Sequence, residues 1–290
     1  MGLLRYPGSK AKIADRIVKS FPDRFNLPLW ITEAEYREPF FGAGAVGFRL
    51  MRDLPLSAVW INDLDPGIHA LWSAVYGFSG VLCRRVIEFA PTVQAFWSAR
   101  ERAENPGLGV LDRGFDMLVI HRLGHGGFGK KSWGPQGGND QDNAKYPIGC
   151  RWRPGALVRE IQRLNRLLRS IPSVRISCLD FSDVITAPGD SFVYADPPYY
   201  VKGQMLYEHA MDTAGHVRLA RLLRARGDWV LSYDDHPFIR GLYDGFRAEN
   251  VDIDYSIRNQ GKPRKNSELL IFSNPADDAV RFGASRRVTP

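Results

Sequence analysis

Short apolar runs of strand length alternate with stretches of helical period along most of this chain. Residues 36–41, 57–61, 174–178, 192–195, 229–233 and 269–272 are rich in β-branched, aromatic and aliphatic side chains. Each predicts a strand, and their nearly continuous apolar character predicts a sheet buried on both faces. Residues 11–21 carry Ile13, Ala14, Ile17 and Val18 at helical spacing and stop at Pro22. Residues 46–51 and 66–76 read as helices, and 156–169 sets Leu157, Ile161, Leu164 and Leu168 on one face with arginines elsewhere. The stretch 81–120 is helical in pattern without clear strands, and 124–138 holds seven glycines and no apolar period, which predicts a loop or loose hairpin. The alternation is that of an α/β fold with a mostly parallel sheet. No internal repeat interrupts it. A body made of residues 1–80 and 156–290 is split by a helical and loop insertion at 81–155.

The chemistry collects at predicted strand ends, where open α/β sheets place their ligands. Ser191-Phe192-Val193-Tyr194-Ala195 leads into Asp196-Pro197-Pro198-Tyr199. Two adjacent prolines make a stiff turn without backbone N–H groups, so an acid, a carbonyl and an aromatic face point into one small volume. That set suits a planar amino group such as a nucleobase carries. After the 36–41 run, Gly42 and Gly44 allow a tight turn close to a ligand, and Asp63 ends the following strand. A glycine loop with an acid at that position suits the ribose of an adenosine-containing ligand, although a lone G-x-G is also an ordinary strand-to-helix turn. Asp180-Phe181 could receive an adenine amino group, or could simply cap a helix over a core ring. Lys10, in Arg5-Tyr6-Pro7-Gly8-Ser9-Lys10, could hold a carboxylate as a point charge or belong to a plain N-terminal loop.

Charge narrows the partner. Between His121 and Arg175 stand eleven Lys/Arg and three Asp/Glu, so this segment carries +8 and the rest of the chain −1 of the net +7. An excess confined to one segment fits a polyanion such as nucleic acid, and a solvated helix face is the plainer alternative. Apolar residues at 44% and charged residues at 24% are ordinary for a soluble protein. There is neither a signal-peptide pattern nor an apolar run long enough for a membrane span, and Cys83, Cys150 and Cys178 are scattered. These features predict a cytoplasmic protein with reduced thiols. His121 and His125 have i, i+4 spacing but no acid or cysteine beside them, so no metal site is expected. No Ser/His/Asp or Cys/His arrangement and no GxxxxGK[ST] loop is present.

The order of motifs resembles that of the Dam-like DNA adenine-N6 methyltransferases. The resemblance runs from Tyr6-Pro7-Gly8-Ser9-Lys10 through Glu38-Pro39-Phe40-Phe41-Gly42-Ala43-Gly44 and Asn62-Asp63-Leu64-Asp65. It continues with Gly134-Pro135-Gln136-Gly137-Gly138, Tyr146-Pro147-Ile148-Gly149-Cys150-Arg151, Asp180-Phe181 and Asp196-Pro197-Pro198-Tyr199-Tyr200, and closes with Asn266-Ser267-Glu268-Leu269-Leu270-Ile271. The DPPY tetrad alone is specific; the others add weight by their order.

The resemblance implies a Rossmann-like methyltransferase sheet with a target-recognition insertion ahead of the DPPY strand. It implies S-adenosylmethionine as cofactor, with Phe41, Gly42 and Gly44 around its methionine end and Asp63 on its ribose. Asp180 and Phe181 would take its adenine, and Tyr6 and Lys10 would cover it. Asp196, Pro197, Pro198 and Tyr199 would receive the target adenine, flipped out of double-stranded DNA, for direct in-line attack on the methyl group. In the insertion, Arg122, Lys130, Lys131, Lys145 and Arg151 are candidates for phosphates, and Trp133 or Phe128 for a place beside the flipped base. A plain packing role for those aromatics is equally open. Tyr6 stands where relatives often carry Trp, and residues 121–129 follow the family pattern only loosely, so no target sequence transfers. The implied protein is a monomer or weak dimer; a restriction–modification role with a cognate endonuclease, a phage role and a housekeeping role all fit. Cytosine N4, RNA bases and a glutamine amide are rival acceptors, and a catalytically idle DNA-binding regulator is a rival class.

Overall fold

Seven strands form one sheet in the computed structural model, which describes residues 2–4, 10, 14–19, 35–126, 134–201, 211–253 and 266–275. Five of them, β1 (Glu35–Glu38), β2 (Ala58–Asn62), β3 (Ser173–Ser177), β4 (Ser191–Ala195) and β5 (Trp229–Asp234), run parallel. The remaining pair, β6 (Phe246–Ile253) and β7 (Asn266–Pro275), is antiparallel, with β7 inserted beside β5. The order is β3-β2-β1-β4-β5-β7-β6. The chain moves outward from β1 through β2 to β3 and then returns to lay β4 on the other side of β1. The gap between the ends of β1 and β4 is therefore a topological switch point, the place where such sheets open a crevice for ligands.

The two-residue period of the strands sorts their side chains onto two covered faces. Phe192 and Tyr194 of β4, Val230 of β5, and Leu270 and Phe272 of β7 join one apolar cluster. Their alternates Val193, Ala195, Leu231, Leu269 and Ile271 join another, on the opposite face. Strand β6 escaped the apolar pattern because its sequence, FRAENVDI, is mostly polar. As the terminal strand of the sheet it pairs only with β7 and needs no continuous apolar face.

Ten described helices cover the sheet: α1 (Ala14–Lys19), α2 (Gly47–Asp53), α3 (Pro66–Gly77), α4 (Ser79–Glu88), α5 (Val93–Ala103), α6 (Val110–Leu123), α7 (Pro154–Arg169), α8 (Phe181–Thr186), α9 (Thr213–Arg224) and α10 (Pro237–Leu242). The helices α4, α5 and α6 of the expected insertion do not build a core of their own. Leu82, Val86, Phe96, Ala99 and Leu118 share the cluster that holds Phe41, Val59 and Trp72. Helix α6 is buried all round over its last ten residues, Gly114 to Leu123. Gly114 allows the close approach to α3, since a Cβ there would lie 2.6 Å from the Ala70 carbonyl oxygen. The glycine-rich stretch after α6 is closed at its base like a hairpin, with Gly124 bridged to Pro135 and the Gln136 N–H donating to the Leu123 carbonyl at 2.6 Å.

Arg122 corrects an expectation. It was a candidate for DNA phosphate, yet it is only 1% exposed, with its guanidinium donating to the carbonyls of Leu3 (2.7 Å) and Gly2. A buried guanidinium held by two backbone carbonyls ties the end of α6 to the N-terminal segment and is not on a surface that DNA could touch.

Candidate active site

A cavity of about 380 Å³ opens at the carboxyl ends of the parallel strands, within the range of small-molecule sites. Its lining gathers residues from four separate strand ends: Phe40 to Val46 after β1, Asp63 to Asp65 after β2, Leu179 to Phe181 after β3, and Asp196 and Pro198 after β4.

The glycine loop is built by its own backbone. Gly42 and Gly44 adopt φ of 48° and 67°, a region that favours glycine. A Cβ on Gly44 would come within 2.5 Å of the Phe41 ring. That ring is buried edge-on against Phe48 and Trp72, at 5.1 and 5.6 Å between centroids. Phe41 therefore supports the loop from below while still lining the cavity. The loop is also tied to the next strand end, since Gly42 N–H donates to Asp63 Oδ2 at 2.7 Å. The other oxygen, Asp63 Oδ1, accepts from the Asp65 N–H at 3.0 Å. Burial, with Asp65 as a nearby like charge, pushes the Asp63 carboxyl up to about 7. Asn62 is fully buried and joins three strand ends, donating to the carbonyls of Pro39 and Leu179 and accepting from the Leu179 N–H.

The helix-cap reading of Asp180-Phe181 is realised, and both residues also line the cavity. Asp180 caps α8, accepting from the Ser182 N–H at 2.9 Å, and its other oxygen pairs with Arg218 at 2.8 Å. Burial opposes its ionisation, but Ser182 and Arg218 hold the carboxyl below its ordinary value. Phe181 is buried 5.4 Å from the Phe40 ring and lies under the Arg218 guanidinium, and all of these groups line the cavity.

The DPPY end holds a cluster of charges. Asp196 Oδ1 lies 2.7 Å from Lys10 Nζ and accepts from the Ser232 hydroxyl at 2.9 Å. Lys10 Nζ also lies 3.1 Å from Glu268 Oε1 and donates to the Tyr199 hydroxyl at 2.9 Å. Tyr199 in turn donates to Glu268, at 2.7 Å to Oε2. Burial would lower the Lys10 ammonium, but Asp196, Tyr199 and Glu268 together reverse this and hold it well above the ordinary lysine value. Burial pushes the Tyr199 phenol well up, which leaves the neutral hydroxyl as donor. Lys10, read as a point charge for a ligand carboxylate, is thus paired first with the DPPY aspartate, although it reaches the same cavity. Glu38 is buried at the end of β1 and accepts from the Tyr36 hydroxyl at 2.8 Å. Burial pushes its carboxyl well above the ordinary glutamate value.

The sequence-predicted residues Lys10, Phe41, Gly42, Gly44, Asp63, Asp180, Phe181, Asp196 and Pro198 all line this one cavity. Pro197 and Tyr199 are not among its lining residues; Tyr199 is anchored through its hydroxyl to Lys10 and Glu268. Tyr6, Lys130, Lys131 and Trp133, with Phe128, lie outside the described residues. Lys145 is exposed, whereas Arg151 is half-buried with its guanidinium 3.4 Å from the Gly124 carbonyl oxygen. Residues without a sequence signal complete the site: Ser232 is a polar residue inside an apolar strand, and Arg218 is one arginine among several on α9. Glu268 did carry a signal, as part of the closing motif, but no role came with it. Among the described residues no His/Cys/Asp/Glu group could hold a metal, and no helix is long and apolar enough to cross a membrane.

Comparison with known proteins matches this chain to the D12 class N6 adenine-specific DNA methyltransferases over residues 6–95 and 138–257. The type II methyltransferase M.MjaIII of Methanocaldococcus jannaschii is 26% identical over 93% of this chain and 98% of its own length. A DNA adenine methylase of Haemophilus influenzae is 24% identical over 92% of this chain and 91% of its own.

Proposed function

Because the chain belongs to the D12 class of N6 adenine-specific DNA methyltransferases, we propose that its cavity brings S-adenosylmethionine and a flipped adenine of duplex DNA together for transfer of a methyl group to N6. One observation carries this reading: the glycine loop after β1 and Asp196 after β4 face a single cavity across the switch point of the sheet.

The residues fit an adenosyl ligand. Gly42 and Gly44 hold the loop in its tight turn at the cavity, Asp63 offers lone pairs to ribose hydroxyls, and the packed Phe40 and Phe181 rings give an apolar wall beside Asp180. S-adenosylmethionine supplies an electrophilic methyl group on sulfur and leaves as a neutral thioether. The protein's own part is positioning and electrostatics. Both contacts of Asp196 use Oδ1, so Oδ2 is the acceptor available to an adenine amino hydrogen. With the Pro197 carbonyl as second acceptor, the amino nitrogen loses conjugation with the ring and turns its lone pair toward the methyl group. The negative Asp196 then stabilises the positive charge that grows on nitrogen during direct, in-line transfer. Flipping the base costs a few kcal/mol, part of which stacking on the anchored Tyr199 ring recovers. Residues 81–155 serve target recognition in this reading, and the internal stretch that the family match leaves out, 96–137, lies within them.

The test is transfer of labelled methyl groups to duplex DNA, followed by digestion and separation of the modified nucleosides. N6-methyladenine is the expected product. N4-methylcytosine, label only in RNA or protein, or no transfer to any DNA would each overturn the reading. Sequencing the methylated DNA would give the target site, and protection of that site from a partner endonuclease would establish a restriction–modification pair.

A further inference from the structure

The buried cluster at the DPPY end has an uneven count of charges. Among the described residues Lys10 is the one cation between two carboxylates, 2.7 Å from Asp196 and 3.1 Å from Glu268. Lys10 is 3% exposed and Glu268 4%, so water screens neither well. Asp196 and Lys10 line the cavity; Glu268 lies behind Lys10 and does not. Neutralising Lys10 does not require that second carboxylate. Lys10 and Asp196 would neutralise each other without it, and a buried charge is costly unless it does something. Tyr199 donates to Glu268 as well, so the same carboxylate also fixes the ring of the DPPY tyrosine.

The other acids that line the cavity are Glu38, Asp63, Asp65, Asp180 and Asp212. Burial and Asp196 raise the Glu268 carboxyl, against which Lys10 and the Tyr199 hydroxyl hold the charged form; burial favours the neutral form of Glu38, and Asp180 is matched by Arg218. Asp63 sits at the other end, beside the glycine loop.

We propose that Glu268 is a positioning residue that leaves the Lys10–Asp196–Glu268 cluster with one excess negative charge, which makes the cavity prefer a sulfonium ligand to the neutral thioether. The inference rests on the S-adenosylmethionine reading. In the reaction the S–CH3 bond breaks and the N6–CH3 bond forms, sulfur keeps the electron pair, and the N6 proton leaves to solvent. The positive charge thus vanishes from sulfur when the methyl group moves. The excess negative charge holds the donor before transfer, stabilises the cationic nitrogen during it, and releases its grip on the product afterwards. Glu268 acts through Lys10: its charge offsets the ammonium that would otherwise repel the sulfonium.

The experiment is calorimetric titration of the whole chain with S-adenosylmethionine and with S-adenosylhomocysteine, for the wild type, Glu268→Gln and Glu268→Asp. Glu268→Gln is expected to weaken sulfonium binding on the order of tenfold more than thioether binding. Glu268→Asp, which keeps the charge, should restore most of the wild-type ratio. If Glu268→Gln weakens both ligands by one factor, or Glu268→Asp behaves like it, the residue only packs and the inference falls. Should Glu268→Gln fail to fold by its melting curve, the wild type still decides through a third ligand, the analogue with a protonated amine in place of S–CH3. Both cations must then bind more tightly than the thioether, and equal affinity for all three overturns the inference. A wild type that binds neither adenosyl ligand would instead overturn the reading of the cavity itself.

Discussion

The Gly42 N–H donates to Asp63 Oδ2 at 2.7 Å, so the acid that closes β2 also pins the glycine loop that follows β1. In the proposed reading, adenosyl binding and loop geometry are thereby coupled to one protonation event. Asp63 is pushed up to about 7, so near neutral pH the free protein carries a mixture of carboxyl and carboxylate. Ribose hydroxyls donate, and they favour the carboxylate. Below pH 7 binding must first remove a proton, and affinity for S-adenosylmethionine should fall about tenfold per pH unit. Above pH 8 it should be flat. Titrations in buffers of different ionisation enthalpy should show proton release at pH 6 and none at pH 8.5. Asp63→Asn should bind weakly with no such slope.

Asp196 lines the cavity, and Lys10 and Ser232 both contact its Oδ1. Replacing it by Ala removes both the amino acceptor and the charge that stabilises the developing cation. The turnover rate should fall by at least about 10³-fold, in the manner of a lost transition-state contact. Affinity for S-adenosylmethionine should fall by no more than about tenfold. Single-turnover rates and calorimetry on the same preparation separate the two effects. A variant that methylates near the wild-type rate would sink the mechanism.

Tyr199 is fixed by its hydroxyl as well as by its place after the prolines, since Glu268 accepts from it and Lys10 donates to it. Tyr199→Phe keeps the ring and loses the anchor; Tyr199→Ala loses both. A graded loss in DNA affinity is expected, on the order of 1–3 kcal/mol for the Ala variant, the usual worth of stacking on a base. A mismatch opposite the target adenine should restore part of it, because a mismatched base costs less to flip. Absence of any such rescue would argue that Tyr199 does not act by stacking.

Arg122 and Lys145 should separate cleanly. Arg122→Ala empties a buried site and leaves the Gly2 and Leu3 carbonyls without their donor, so the melting temperature should drop, corresponding to a loss of about 2–4 kcal/mol. Lys145 is exposed, and Lys145→Ala should leave stability within about 0.5 kcal/mol of the wild type. If it meets a phosphate, the slope of log affinity against log salt should shrink by about 0.9. An unchanged slope would place Lys145 outside the DNA contact.

Much of the site was legible because its parts are local. A strand followed by Asp-Pro-Pro-Tyr, a glycine loop and an acid at the next strand's end are each fixed within a few residues by turn chemistry. Their period-2 neighbours then set which face they occupy. Arg122 misled for the converse reason: its charge is visible in the sequence, but its burial depends on the Gly2 and Leu3 carbonyls, some 120 positions away. Strand β6 was hidden because an edge strand needs no apolar run.

By itself the sequence determined the alternation of strands and helices, the turn residues at their ends, and the family to which their order belongs. Those features follow from backbone conformation and side-chain period, which act over a few residues. Only the tertiary structure decided that the loop after β1 and the tetrad after β4 share one cavity, since that depends on the chain returning from β3 to the far side of β1. It alone brought Lys10, from the start of the chain, between Asp196 and the Glu268 of the antiparallel β7. A buried ion cluster is specified by which distant charges desolvation forces together, and no local pattern carries that information.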